Sequence, residues 1–208
     1  MLYMGKDKFE NEALIKYSWP EDIWYHVDRE SSAHVYIRLP REQYDAAMKA
    51  GDKDWYKKID EKVVEDCCQL VKANSIKGNK QDNVSIVFTP ASNLKKTQGM
   101  DTGQVGFHDE GQRWKTKVEA RKNEIVNRLE KTKKWEDTDL EADFIRRKKE
   151  ESTEKARAAE KERIEREAQE KKWKEEKEAK SYDRLYDESL CTRAGEIELD
   201  SDGEPDFM

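Results

Sequence analysis

The chain has 208 residues, 42% of them charged and 35% hydrophobic, with a net charge of −6. An ordinary domain is about 25% charged, so the apolar side chains, which gather before about residue 130, support one core of small-domain size and no more. No apolar run nears the roughly 18 residues of a membrane span, no signal-peptide pattern opens the chain, and Cys67, Cys68 and Cys191 form neither a disulfide framework nor a CxxC pair.

This composition predicts a protein of a reducing compartment, cytoplasmic, with a peripheral membrane or nuclear location as the alternatives. The net charge hides a split: residues 111–134 hold nine basic and three acidic residues, and residues 181–208 hold two and nine. The basic stretch is an electrostatic footprint for a polyanion, which the acidic end would compete with or repel.

Leu2–Met4 reads as a short edge strand. Asp7-Lys8-Phe9-Glu10 reads as a helix start, with Phe9, Ala13, Leu14 and Tyr17 making one apolar face. Ile23–Val27 is β-branched and aromatic, as a strand should be. Ala33–Leu39 alternates Val35, Ile37 and Leu39 against His34, Tyr36 and Arg38, a period of two that predicts one buried set and one outward set. A helix follows from Pro40 to about Ala50. Apolar positions from Ile59 to Val71, three and four apart, predict one long amphipathic helix over Trp55–Ile76.

Val84–Thr89 reads as a strand that Pro90 ends, residues 91–103 as a Lys-containing loop, and Gln104–His108 as the last strand. Val118, Ile125, Val126 and Leu129 make a modest stripe on a basic helix over Lys115–Lys134. From Asp137 to about Lys180 the charges alternate with almost nothing apolar. Pairs four apart (Glu151 with Lys155, Glu162 with Arg166, Glu167 with Lys171, Glu170 with Lys174, Glu176 with Lys180) support a solvent-exposed single helix. No heptad seam is present, so this helix is expected to be monomeric. Gly195–Met208 is acidic and aperiodic and is expected to be disordered.

The expected fold is α+β: a small mixed or antiparallel sheet of four or five strands with packed amphipathic helices, then a long charged helix. The expected organisation is an α/β domain over residues 1–115, a basic then charge-alternating helix over 116–180, and an acidic tail over 181–208.

Signatures of chemistry are missing. The chain has no Gly-rich phosphate loop, no His-Glu-x-x-His and no glycine-flanked serine. His26, His34 and His108 all fall on predicted strands. Paired strands would allow His26 and His34 to act as metal ligands with Asp28 nearest, but histidines hydrogen-bonding on the sheet are the better reading. Ser31 and Ser32 read as caps of a strand connection. No enzyme activity, cofactor or metal is expected.

Binding residues are easier to name. Lys72, Lys77 and Lys80 end one predicted helix, and Lys95 and Lys96 sit in the loop after the next strand. Five lysines at one end of the sheet would make a phosphate-facing patch. Arg121, Lys122, Arg128, Lys131, Lys133 and Lys134 would extend it along the basic helix. Tyr25, His26, Ser32, His34 and Tyr36 are candidate surface or base-stacking residues, and Trp24 is better read as core.

Several ordered motifs resemble the NFACT-R family. They are Met4-Gly5-Lys6-Asp7-Lys8-Phe9-Glu10-Asn11-Glu12, Asp22–Asp28, Ser31–Arg38, Val71–Lys80, Phe88–Lys96 and Gly103–His108. The resemblance implies an α/β RNA-binding module without an active site. Larger relatives carry it in proteins that bind tRNA and the large ribosomal subunit, while a small branch keeps this domain with a charged helix alone. RNA or a ribosomal particle is therefore the expected partner. DNA at a membrane surface, or a protein docked on the charged helix, is the alternative. Relatives carry a further strand before Met4-Gly5-Lys6, which leaves completeness of the sheet open, and residues 43–56 read as an added helical insertion.

Overall fold

The computed structural model describes residues 1–180, in two units: Met1–Arg147 and a second that starts at Lys148. The expectation for Gly195–Met208, and the role of Cys191, lie outside the described residues. The first unit is built on β1 (Leu2–Met4), β2 (Asp22–Val27), β3 (Val35–Arg38), β4 (Val84–Pro90) and β7 (Trp114–Val118). They form one antiparallel sheet in the order β1-β3-β2-β4-β7. A two-stranded ribbon, β5 (Leu94–Lys95) and β6 (Gly106–Phe107), lies apart from that sheet.

The helices are α1 (Lys8–Lys16), α2 (Arg41–Lys49), α3 (Glu61–Ala73), α4 (Asn123–Thr132) and α5 (Leu140–Ala179). The α+β class with a long charged helix is thus the observed one.

One face of the sheet presents Ile23, Tyr25, Val27, Val35, Ile37, Ile86 and Phe88. It is buried beneath Cys67, Cys68, Leu70 and Val71 of α3, together with Trp55 and Tyr56. At ~1.5–3 kcal/mol for each large apolar side chain fully buried, this layer is the main source of stability. The other face presents Trp24, Tyr36 and Val87 and is covered by Leu14 of α1 and by Leu94 and Phe107 of the ribbon.

Both faces are therefore buried, which corrects the outward-facing set expected on β3. His34 and Tyr36 are 3% and 0% exposed, because α1 and the ribbon lie over them. Arg38 makes a two-pronged ion pair with the wholly buried Asp22, at 2.8 and 2.9 Å, and Tyr3 donates to the same carboxylate at 2.7 Å.

Three predicted elements differ from those observed. The helix expected from Trp55 starts only at Glu61, where Asp60 accepts a hydrogen bond from the Lys62 N–H and caps it. Trp55–Lys57 is a separate 3₁₀ turn. The strand expected at Gln104–His108 is not the last strand of the sheet but half of the small ribbon. Residues 115–118, expected to open a helix, belong instead to β7, paired with β4 from Val84↔Val118 to Phe88↔Trp114. The basic helix is accordingly short and begins at Asn123.

The first turns of α5 pack within the first unit. Phe144 stacks on Trp19 at 5.2 Å and meets Tyr17 at 5.6 Å. Arg147 donates to Glu21 at 2.6 Å and lies 4.1 Å over the Trp19 ring. Within the second unit α5 has no buried residue. Of the expected pairs four apart, Glu176 with Lys180 forms at 2.5 Å. Arg163 instead takes Glu160 and Glu167, and Lys171 takes Glu175. Each cation has rival carboxylates three and four residues away in both directions, so spacing alone does not select the partner.

Candidate nucleic-acid interface

Gln69, Lys72 and Ser75 recur three apart along α3 and its C-terminal end, and all three are 1–2% exposed. Polar groups so buried need partners, and each finds them in a loop at one end of the sheet. The Gln69 amide donates to the Ala120 carbonyl at 3.0 Å and accepts from the Lys122 N–H at 2.9 Å. The Lys72 ammonium donates to the Gly78 carbonyl at 2.8 Å and to that of Gln81. The Ser75 hydroxyl donates to the Ser31 carbonyl at 2.7 Å and accepts from the Gly78 N–H at 3.1 Å. A Cβ at Gly78 would lie 3.0 Å from Ser75, so a larger residue there presses on the hydroxyl that holds this loop.

The loops held in this way carry Lys77, Lys80 and Arg121. Arg121 donates to the Asn79 side chain at 2.8 Å, which joins the two loops without neutralising the guanidinium. Lys77 pairs with Glu30 at 3.0 Å. Lys80 is exposed and has no partner among the described residues. Lys122 pairs with Glu65, and Arg128 with Asp66 at 2.6 Å, so both fasten α4 to α3. Lys131 and Lys134 are exposed, and Lys133 lies 4.4 Å over Trp135.

The five-lysine patch expected at one end of the sheet does not form as such. Lys72 is inside, where burial lowers its pKa and two carbonyls occupy it. It shapes the loop and does not face a ligand. Lys77 and Lys80 precede β4 while Lys95 and Lys96 follow it. The seven residues of β4, about 20 Å of extended chain, separate the two groups. Lys95 projects from the ribbon. Lys96 turns inward, pairing with Glu12 at 2.6 Å and donating to the carbonyls of Asp101 and Gln104 at 2.7 and 3.0 Å. Burial opposes charge on Glu12, but the Gly103 N–H and Lys96 hold its carboxyl below the usual range.

The stacking candidates are likewise enclosed. Tyr25 packs against Phe88 at 5.3 Å and Tyr36 against Tyr3 at 5.1 Å. Burial raises the pKa of both phenols, and no face of either ring is open to a base. His26 stacks on Trp24 at 5.2 Å, with its Nδ1 2.7 Å from the Val27 carbonyl. His34 lies edge-on to His26 at 5.0 Å, and burial, then the neighbouring His26, pushes it down to about 4. Ser32 accepts from the Val27 N–H and donates to the Ala33 carbonyl, closing the connection between β2 and β3. Among the described residues no three metal-ligating side chains come together. Burial also pushes the Cys68 thiol up to about 12.

Arg113, Lys115 and Lys117 were missed as candidates because their segment reads as helix when Val118 is counted with Ile125, Val126 and Leu129. The signal that finds them is the period-two run Trp114-Lys115-Thr116-Lys117-Val118, which places the two lysines on one side of a strand and Trp114, Thr116 and Val118 on the other.

Comparison with known proteins adds the following. Residues 1–109 match the family model described as the NFACT protein RNA binding domain. Coiled-coil domain-containing protein 25 of Bos taurus is 54% identical over 154 residues, covering 74% of this chain and 69% of that protein. Its namesake in Danio rerio is 54% identical over 150 residues, 72% and 67% of the two chains. The Dictyostelium discoideum homolog is 48% identical over 138 residues, 66% and 62%. The C-terminal region of a fibronectin/fibrinogen-binding protein from Streptococcus suis superposes with a TM-score of 0.47 at 19% identity, over 61% of this chain and 44% of that one, a likeness too slight to argue from.

Proposed function

The chain belongs to the NFACT protein RNA binding domain family, and we propose that it binds RNA non-enzymatically, through phosphates held by Lys77, Lys80 and Arg121. The observation that carries this reading is the row Gln69–Lys72–Ser75. Three buried polar side chains fix the backbone of the two loops from which those cations project. Cations on a positioned backbone lose less freedom on meeting a phosphate than cations on a loose loop. Phosphate contacts of this kind set position on the ligand and carry no base sequence. Lys131 and Lys134, exposed on and just beyond α4, add long-range attraction.

Titration of the protein with RNA across a salt series tests this. Binding should weaken linearly on a log–log plot, and Lys80→Gln or Arg121→Gln should each reduce the slope by about one. Absence of binding at low salt, or slopes unchanged in both variants, would refute the proposed site.

A further inference from the structure

Among the described residues β7 is the last strand of the sheet, and the hydrogen-bonding groups on its outer side have no neighbouring strand there. Its side chains are unlike those of the inner strands. Trp114 is 44% exposed, whereas Trp24 on β2 is 2% exposed; the more exposed Trp135 and Trp173 lie outside the sheet. The Lys57 ammonium sits 3.8 Å from the Trp114 ring centroid. Lys115 and Lys117 are both exposed on the strand, with Lys115 reaching Asp28 at 2.6 Å and Lys117 without a partner among the described residues. Arg113 precedes them, paired with Glu110 at 3.1 Å. Beyond Val118 the same chain runs through Glu119 and Ala120 to Arg121, which is joined to the loop of Lys80.

We propose that this free edge is a track for single-stranded RNA. The backbone of the RNA follows the edge, with one unpaired base turned onto Trp114 beside Lys57 on one side of the strand and the following phosphates taken by Lys115 and Lys117 on the other, towards Arg121 and Lys80. The inference rests on the RNA reading above and adds the strandedness of the ligand. Four features support it.

An exposed aromatic ring among cations is the pairing that binds single strands, because every unpaired base has a π-face to stack. In a duplex those faces are already covered by neighbouring bases. From Trp114 to Lys117 is about 10 Å of extended chain, with Trp114 on the Phe88 side of the sheet and Lys115 and Lys117 on the Val87 side, so a single strand lying along the edge itself is what reaches both. In each of the ion pairs of Lys115 and Arg113 one member stays open to solvent, Lys115 at 43% and Glu110 at 66%, so a phosphate reaches the Lys115 ammonium without unburying it. Finally, lysines on an edge strand are a common means of preventing another strand from adding. That disfavours an acidic extended peptide, the other polyanion with the right charge.

The test uses the full chain and fluorescence anisotropy. A short unstructured RNA and a duplex of the same length are titrated against the wild type, Trp114→Leu, Trp114→Tyr and the double variant Lys115→Gln/Lys117→Gln. Thermal melting of each variant is recorded, and a poly-glutamate peptide serves as competitor. The single strand should bind more tightly than the duplex. Trp114→Leu should lose about tenfold in affinity and Trp114→Tyr should retain most of it. The double variant should reduce the salt slope by about two.

If Trp114→Leu melts early, Trp114→Tyr and the lysine pair decide the matter. Wild-type affinity in Trp114→Leu, preference for the duplex, or poly-glutamate binding with the same Trp114 dependence would each overturn the track. RNA binding that depends on Lys80 and Arg121 but not on Trp114 would overturn the track alone. No RNA binding by any form would overturn both readings.

Discussion

Lys72 is 1% exposed and its ammonium donates to two backbone carbonyls, whereas the Lys80 ammonium is in solvent. Nothing in the run Val71–Lys80 marks the two lysines as different, because the difference is set by where α3 ends and how the chain returns to β4. The two respond differently to substitution. Lys72→Met should cost about 1–3 kcal/mol in urea unfolding, since it leaves carbonyls buried without partners. Lys80→Gln should leave stability unchanged. A Lys72→Met variant as stable as the wild type would show that the buried ammonium is dispensable.

His34 supplies a pH dependence. Its imidazole is neutral in the fold down to about pH 4, while in the unfolded chain it takes a proton near 6.5. Between those values the unfolded state binds more protons, so stability is fully present above about 6.5 and is lost as pH falls towards 4. The loss attributable to this group is on the order of 3 kcal/mol. His34→Gln should flatten the unfolding profile over that window, and an unaltered profile would rule the group out as its source.

Among elements, those with strong local signals were legible. β2 and β4 announce themselves by β-branched and aromatic residues, α1 by Asp7, which accepts from the N–H groups of Phe9 and Glu10, and β4 ends at Pro90. β7 was not legible as a strand, because Val118 fits a helical stripe and a strand at once, and only pairing with β4 decides between them. The start of α5 shows the same limit. Phe144 looks isolated in a charged run, yet it stacks on Trp19.

Arg147 pairs with Glu21, which is 3% exposed. Arg147→Ala should destabilise the first unit by about 3 kcal/mol in chemical denaturation, because it leaves a buried carboxylate without this partner. Within the second unit the charged helix has no apolar seam. A fragment covering residues 148–180 should therefore show helicity by circular dichroism that is independent of concentration and falls modestly with salt. Concentration-dependent melting would reveal self-association.

For the whole molecule, the RNA reading predicts that purification of the intact protein from cells recovers RNA-containing particles, ribosomal ones among them, and that nuclease treatment releases them. Retention of a protein partner after nuclease would instead favour docking on the charged helix. Among the described residues no helix is long and apolar enough to cross a membrane.

The residue pattern by itself determined the α+β class, the positions of most strands and the single charged helix. Each of these follows from local periodicity, capping and charge spacing, which act over a few residues. Tertiary structure alone decided which cations face solvent, that both faces of β3 are covered, and that Lys77 and Lys80 join Arg121 while Lys95 and Lys96 lie beyond the far end of β4. Those outcomes depend on contacts between residues far apart in the chain, such as Gln69 with Ala120 and Glu12 with Lys96. Lysines of the same composition and spacing are ligand contacts or buried supports according to what the remote chain brings beside them.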